Sequence, residues 1–331
     1  MRILVTGATG FLGNNLVRAL VRQNHDVTAV VRPSSDRKTL DGLDIELALA
    51  DLNEPDDLGV VIREMDVVIH SAAMIQIGWT KLEQSRLVNV ESTRALAEIC
   101  RRQDARMVYV SSVDALASAT EHQIGNEEKL DPPKPGCSYV ISKRESETAF
   151  IVEVANGLDG VIVNPGFMVG PYDWRPSSGE MMLSVYKTPF LPFAPAGGCS
   201  VVDVRDVADG IVSAIEHGRK GQRYILGGEN MSYFDLWNLM ASVMQCSGPH
   251  RKLPDWIATS AGKCGDLVTW LSSKERTVNS AATAMGQMFH YYSSEKAVSE
   301  LGYSIGSVEN ALRDAWDWFR LHPERFGIKS F

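Results

Sequence analysis

The chain has little from which to build a metal centre or a disulfide framework. Its five cysteines, Cys100, Cys137, Cys199, Cys246 and Cys264, are scattered, odd in number and without a CxxC spacing. That fits reduced thiols in a cytoplasmic protein and gives no zinc signature. The seven histidines form no HxxxH or HxH cluster, so no metal is expected. No apolar run reaches the roughly 18 residues needed to span a bilayer. Basic residues are in deficit, with 33 Lys and Arg against 41 Asp and Glu and a net charge of -8, which argues against nucleic acid as a partner. No basic arm, acidic tail, internal repeat or low-complexity segment appears. The N-terminal "MRILVTGATG" runs straight into a strand and a glycine turn, unlike a signal peptide. What is there is ordinary: 331 residues, 44% hydrophobic and 22% charged, enough for one large or two coupled domains and a substantial core.

Short apolar runs alternate with helix-period segments through about residue 165. "RILVTG", "DVTAVVR", "IELALADL", "MDVVIHSAA", "RMVYVSSV" and "DGVIVNPG" read as strands, and "FLGNNLVRALVRQ", "RLVNVESTRALAEICRRQ" and "SYVISKRESETAFIVEVAN" as helices. Near-continuous Val/Ile/Leu strands between helices predict an α/β fold with a doubly wound parallel sheet, buried on both faces. Beyond Pro165 the pattern breaks into Pro/Gly-rich loops, "GPYDWRPSSG" and "KTPFLPFAPAGG". A dinucleotide-binding domain over 1–165, with segments returning at about 200–228, is therefore expected. A smaller, interleaved substrate domain would comprise 166–199 and 229–331.

"TGATGFLG" places Gly7, Gly10 and Gly13, with Thr9, Phe11 and Leu12, directly after the first strand and at the opening of the first helix. Glycines there permit a tight turn and close backbone approach, and the helix N-terminus offers free N–H groups to a pyrophosphate. NAD enzymes place a carboxylate at the tip of the second strand to bind the ribose 2′-OH. Here the tip is Val31-Arg32, followed by Ser34 and Ser35. Arg32 can pair with a 2′-phosphate, so NADP(H) is favoured, with NAD(H) as the alternative. Asp51 and Leu52 end the third strand, where a carboxylate can reach the adenine edge. In "SYVISK", Tyr139 and Lys143 are four apart and share one face of a helix.

Taken in order, these residues resemble the extended short-chain dehydrogenase/reductase family, also called the NAD-dependent epimerase/dehydratase family. The resemblance is carried by "TGATGFLG", "ADL" at 50–52, "VIHSAA" at 68–73, "NVESTRAL" at 89–96, "VYVSS" at 108–112 and "YVISK" at 139–143. The C-terminal half, with "NPGFMVGPYDWRPSSG", "VVDVRDVADG", "GQRYILGGEN" and "YYSSEKAVSELGY", is similar to the dihydroflavonol-4-reductase-like branch. That branch includes flavonoid reductases, 3β-hydroxysteroid dehydrogenases, aldehyde reductases and bacterial proteins named hopanoid-associated sugar epimerases.

The resemblance implies a Rossmann-type sheet and an NAD(P)-dependent oxidoreductase. Tyr139 would be the catalytic acid/base and Lys143 its partner, which also binds the nicotinamide ribose. Ser112 would orient the substrate, with Ser111 its replacement if the register shifts by one. Ser71, Ala72 and Ala73 would line the cofactor channel, and Pro165 to Met168, Phe167 among them, would pass near the nicotinamide amide. Asn164 stands where many sugar-nucleotide members carry arginine. The chemistry asks for an acid because hydride delivered to a carbonyl creates an alkoxide. A phenol near its ordinary pKa of about 10 is too weak alone, so Lys143 and the oxidised nicotinamide's charge are expected to lower it.

The substrate side reads as apolar. Met74, Ile77, Trp79 and Trp174 are candidate pocket residues, with Phe167 and Met168 beside them. Met181, Met182, Tyr186, Phe190 and Phe193 suggest a lid over a hydrophobic ligand. In the segment "PDWIATSAGKCGDLVTWL" at 254–271, few basic residues count against a membrane-surface role. These features favour an NADPH-dependent reductase of a ketone or aldehyde over a sugar epimerase that retains NAD, a 3β-hydroxysteroid dehydrogenase-like enzyme, or a nucleotide-binding protein without turnover. A homodimer is compatible with the chain, which names no oligomer.

Overall fold

The computed structural model describes residues 1–52, 54–117, 119–128, 134–189, 192–272 and 275–328. Its strands are β1 (Arg2–Thr6), β2 (Asp26–Val31), β3 (Glu46–Leu49), β4 (Val67–His70), β5 (Arg106–Val110), β6 (Gly160–Pro165), β7 (Phe167–Val169), β8 (Phe193–Ala194), β9 (Gly198–Asp203), β10 (Arg223–Leu226), β11 (Glu229–Ser232), β12 (Arg251–Lys252) and β13 (Phe289–His290). Seven of them form one parallel sheet in the order β10-β6-β5-β4-β1-β2-β3.

Successive side chains of a strand point to opposite faces, and the core divides accordingly. Ile3 and Val5 pack with Leu16 and Leu20 of helix Phe11–Arg22 and with Val207 and Ile211 of helix Val204–His217. Leu4, between them, faces the other layer, with Leu58, Leu96, Cys100 and Phe150. The chain winds outward from β1 to β3, then returns to β4 on the other side of β1. This reversal leaves a crevice at the carboxyl ends of β1 and β4, the place where open α/β sheets bind ligands.

Three segments depart from the sequence expectation. The segment returning at 200 does not begin in the large sheet: β9 pairs with β11, β13 and β7 in a second sheet, and only helix Val204–His217 and β10 rejoin the first. The presumed lid is not a flap. It includes helix Gly179–Lys187, whose Met182, Leu183 and Val185 are buried in the smaller unit's core beside Leu236 and Phe319. Large apolar side chains at that density are held down by burial, which a hinged cover could not keep. Phe190 lies outside the described residues.

The helix expected over 86–103 also differs. Arg86–Glu91 forms a wider π-helical turn before the α-helix Ser92–Arg102, a departure often found where function needs a side chain re-aimed. Here that side chain is Asn89.

Candidate active site

The glycine loop is built by contact. Gly7 has φ +75, and a Cβ there would stand 2.7 Å from the Ala72 nitrogen. A Cβ on Gly13 would meet the Gly7 oxygen at 2.1 Å. Both positions are thus closed to any larger residue by the fold itself. Gly10 is different: it is exposed, and its nearest neighbour to an added Cβ is the Gly7 oxygen at 3.2 Å. Gly10 opens helix Phe11–Arg22, and no side chain caps that terminus. The helix's first N–H groups therefore face the crevice without a side-chain acceptor. Across from them, Thr6 Oγ1 accepts from the Ala72 amide at 3.3 Å and lies 2.8 Å from His70 Nδ1, joining the ends of β1 and β4.

A dinucleotide fits these residues. The loop presents backbone where a phosphate must approach, Ser71 to Ala73 form the opposite wall, and Arg32 stands exposed past β2 in a turn closed by Ser35. Arg37 and Lys38, also exposed, follow within one turn. Asp51 and Leu52 follow β3 and are half-buried. Pro165 is buried at the end of β6, and Phe167 and Met168 are half-buried in β7.

Tyr139 and Lys143 lie in the first turns of helix Ser138–Ala155 and are both buried. The start of this helix is held by the loop after β4: the Tyr139 amide donates to Gln76 O at 3.1 Å and the Ser138 amide to Gly78 O at 2.9 Å. Asn89 braces the same loop, accepting from the Met74 amide at 2.7 Å and donating to Met74 O at 3.0 Å and Ser142 Oγ at 2.9 Å. Met74, Ile77 and Trp79 are thereby fixed beside the helix that carries Tyr139. Trp174 is placed elsewhere. It packs edge-on against Trp318, ring centroids 4.9 Å apart, and against His322, which makes it part of the smaller unit's aromatic core.

Among the protein's own groups, those acting most strongly on the Tyr139 phenol raise its pKa rather than lower it. Burial and then the Asp114 carboxylate push the Tyr139 phenol above its ordinary value, with a hydrogen bond from Ser112 opposing them. The Lys143 Nζ donates to Val110 O at 2.9 Å and lies over the Tyr109 ring at 5.2 Å. A phenol in this environment keeps its proton, the state a proton donor needs before the reaction. Burial lowers the Lys143 ammonium to about 8, Glu147 opposing. Burial, followed by the charge of Lys143, lowers His70 to about 3, so that ring is neutral.

Ser112 lies two residues past the end of β5 and accepts from the Asp114 amide at 3.1 Å. Ser111 is buried and its Oγ has no hydrogen-bond partner among the described residues. The Ser112 carbonyl accepts from Asn164 Nδ2 at 2.9 Å, and the same amide donates to Glu147 Oε1 at 2.7 Å. Asn164 is therefore turned into the protein, under the helix of Tyr139, and its identity says nothing direct about a substrate phosphate. Glu147 also pairs with Arg223 at 3.0 Å. A second buried pair, Asp114 with Lys134 at 2.8 Å, lies next to the site. Burial would raise the Asp114 carboxyl, yet Lys134 and His290 hold it well below the usual range.

Asn89, Asp114, Glu147 and Asn164 carry this framework and were not singled out for it from the sequence. Glu147 did leave a signal, its place four residues after Lys143 on one helix face.

A parallel sheet with a glycine-lined helix terminus at its crossover point, and a buried tyrosine, serine and lysine beside it, defines a dinucleotide-dependent enzyme of the Rossmann type. The sequence profile of the NAD dependent epimerase/dehydratase family matches residues 3–227, and the chain belongs to that family. It is 33% identical over 325 residues to a putative dihydroflavonol 4-reductase of Synechocystis sp., covering 96% of this chain and 94% of that one. It is 31% identical over 333 residues to sterol demethylase protein B of Methylococcus capsulatus, covering 97% and 98%. The crystal structure of gox2253 matches with a TM-score of 0.85 at 32% identity over 99% of each chain.

Proposed function

We propose that the chain is an NADPH-dependent reductase of a ketone or aldehyde of largely apolar character. The observation that carries this reading is geometric: Tyr139 is buried, the start of its helix is held by the apolar loop 74–79, and Ser112 and Asp114 lie close enough to act on its phenol. Residues 1–165, with helix Val204–His217 and β10, are assigned to cofactor binding, and 166–203 with 229–331 to the substrate. The glycine loop, Arg32, Asp51, Leu52, Ser71 to Ala73, Lys143 and Pro165 to Met168 would hold the cofactor, which supplies the hydride. Ser112 orients the carbonyl oxygen and Tyr139 gives its proton to that oxygen as negative charge develops there. Lys143 holds the ribose hydroxyls, and its ammonium stabilises the phenolate left behind.

Two further observations support an apolar carbonyl compound over a nucleotide sugar. Arg205, one cation that could bind a diphosphate, is engaged by Asp203 and Asp314. Two relatives covering nearly the whole chain are named for a dihydroflavonol reductase and for sterol demethylation, and neither name is that of a nucleotide-sugar enzyme.

The test is a panel of aromatic aldehydes, steroid-like ketones and UDP-sugars, followed for NADPH oxidation and for epimerised sugar. Oxidation of NADPH with an apolar carbonyl compound is expected. Epimerised UDP-sugar without net cofactor oxidation would overturn the reading. Calorimetry with NADPH and NADH side by side tests the cofactor: tighter NADPH binding is expected, with the preference moving toward NADH in Arg32→Asp. Equal affinities in the unmodified chain would sink the assignment of Arg32.

A further inference from the structure

We propose that helix Asp255–Ser272 is a docking surface for an anionic lipid bilayer, on which the enzyme lies with this helix in the headgroup layer. Of its residues only Ala258 and Gly262 are buried. Trp256 is 72% exposed and Trp270 77%, and Leu267 and Leu271 are more than half exposed. Residues 256, 263, 267 and 270–271 recur at helical spacing, so they run along one side. At 1.5 Å per residue the two tryptophans stand about 21 Å apart along the axis. Exposed apolar side chains gathered on one side mark interaction surfaces, and tryptophan at both ends of a helix side that also carries Lys263 suits the membrane–water interface.

The opposite side of the helix explains why this one is free. An added Cβ on Gly262 would meet Thr283 Oγ1 at 2.3 Å, and one on Gly265 would meet the Val278 oxygen at 1.8 Å. The small residues press the helix onto segment 278–283, and Asp266 Oδ1 accepts from the Ser280 amide at 3.0 Å. The apolar stripe is left facing outward.

Charge selects the occupant. The helix alone has few cations, but the fold brings others to it. Arg251 and Lys252 stand exposed just before Trp256, Lys263 is exposed on the stripe, and Arg276 is exposed beyond its end. Against them, Asp255 is exposed while Asp266 and Glu275 are engaged inward. Four exposed cations against one exposed carboxylate match anionic headgroups, and the same patch of a second copy set against it across a two-fold axis would be repelled. Arg276 also edges an open hollow of about 410 Å³ walled by Ala261, Cys264, Val268 and Val278. That hollow combines an apolar wall for an acyl chain with a cation for its phosphate. No helix among the described residues is long and apolar enough to cross a membrane, so the contact is one of lying on the surface.

The surface is tied to the candidate active site. Glu275 accepts from Gln76 Nε2 and from the Trp79 amide, both at 2.7 Å, and Trp79 Nε1 donates to Ser280 Oγ at 2.7 Å. A docked helix would bring the loop beside Tyr139 close to the bilayer. The docking itself stands whichever carbonyl compound is reduced.

The experiment is co-sedimentation of the whole chain with vesicles of phosphatidylcholine alone and of phosphatidylcholine with phosphatidylglycerol in equal parts. Binding to the anionic vesicles at least about tenfold tighter than to the neutral ones is expected, weakening with salt. Trp270→Ser with Leu271→Ser should lower that binding by about tenfold or more. Arg251→Glu with Lys252→Glu should remove the preference for anionic lipid. Melting temperature and turnover of a dissolved carbonyl substrate should stay unchanged in both variants, which separates lost docking from lost folding or lost chemistry. Failure of the unmodified chain to bind either vesicle would overturn the proposal. So would undiminished binding by the Trp270/Leu271 variant, or a concentration-dependent dimer that this variant dissolves in a chain that ignores vesicles.

Discussion

At the residue scale the proposed chemistry turns on two buried side chains whose surroundings push them in opposite senses. Tyr139 is made a weaker acid by burial and by Asp114, while Lys143 is made a weaker base by burial. Tyr139→Phe removes one hydroxyl from a site already packed around the ring. Cofactor affinity and melting temperature should hold, and turnover should fall by about 10²–10⁴-fold, the usual worth of a positioned proton donor. Undiminished turnover would exclude Tyr139 as that donor. Lys143 offers a test without substrate. Between about pH 8 and the unfolded value near 10.5, the unfolded chain holds a proton on this lysine that the folded chain has lost, so stability rises with pH across that window. Below pH 8 the burial penalty of the ammonium is fully present. Lys143→Met should therefore gain on the unmodified chain most at pH 7, and the difference in denaturant midpoint should shrink toward pH 10. A difference that does not change with pH would contradict the shift.

At the element scale the strands and the glycine helix follow from local pattern, and the fold rewards them with a single arrangement. Within the glycine loop the three positions are not equivalent. Gly13→Ala drives a methyl against the Gly7 oxygen at 2.1 Å, whereas Gly10→Ala meets that oxygen at only 3.2 Å on an exposed edge. Gly13→Ala is expected to lower the melting temperature clearly. Gly10→Ala should leave it within a degree or two of the original, yet weaken cofactor binding, because the methyl stands where a phosphate must approach. Equal losses of stability in the two variants would mean that the loop is not shaped for a ligand at Gly10. The difference between legible and illegible features is physical. Runs such as "RILVT" and "GVIVNP" become buried parallel strands because their apolar residues are unbroken over Ile3–Val5 and Val161–Val163. The helical spacing of Tyr139 and Lys143 is local and survives in the structure, but where the Lys143 ammonium points is decided by the Val110 carbonyl of another element. The π-helical turn at Arg86–Glu91 depends on Asn89 finding Met74, and the inward turn of Asn164 depends on Glu147 and Ser112. Neither pairing leaves a periodic trace in sequence.

At the scale of the whole molecule, the large sheet and the smaller unit meet over the loop that holds the start of the Tyr139 helix. Glu275 is the clearest tie. It lies 199 residues from Gln76, yet its carboxylate takes the Gln76 side chain and the Trp79 amide at 2.7 Å each, and the Thr80 hydroxyl and amide as well. A Cβ on Gly78 would strike this carboxylate at 2.0 Å, so the loop's glycine and the distant glutamate fit only together. The same loop supplies Gln76 O and Gly78 O to the first amides of helix Ser138–Ala155. Pulling this tie apart should disturb the substrate side and spare the cofactor side, because the glycine loop is anchored separately through Gly7, Ala72 and Thr6. Glu275→Ala is therefore expected to leave NADPH affinity by calorimetry within a factor of about two. KM for the carbonyl substrate should rise about tenfold or more, since several charge-assisted hydrogen bonds that fix the pocket wall are lost. Glu275→Gln, which keeps a carbonyl oxygen for the Trp79 amide, should recover part of that loss. An equal fall in cofactor and substrate affinity would show instead that the two units respond as one body, and that this clamp does not divide their tasks.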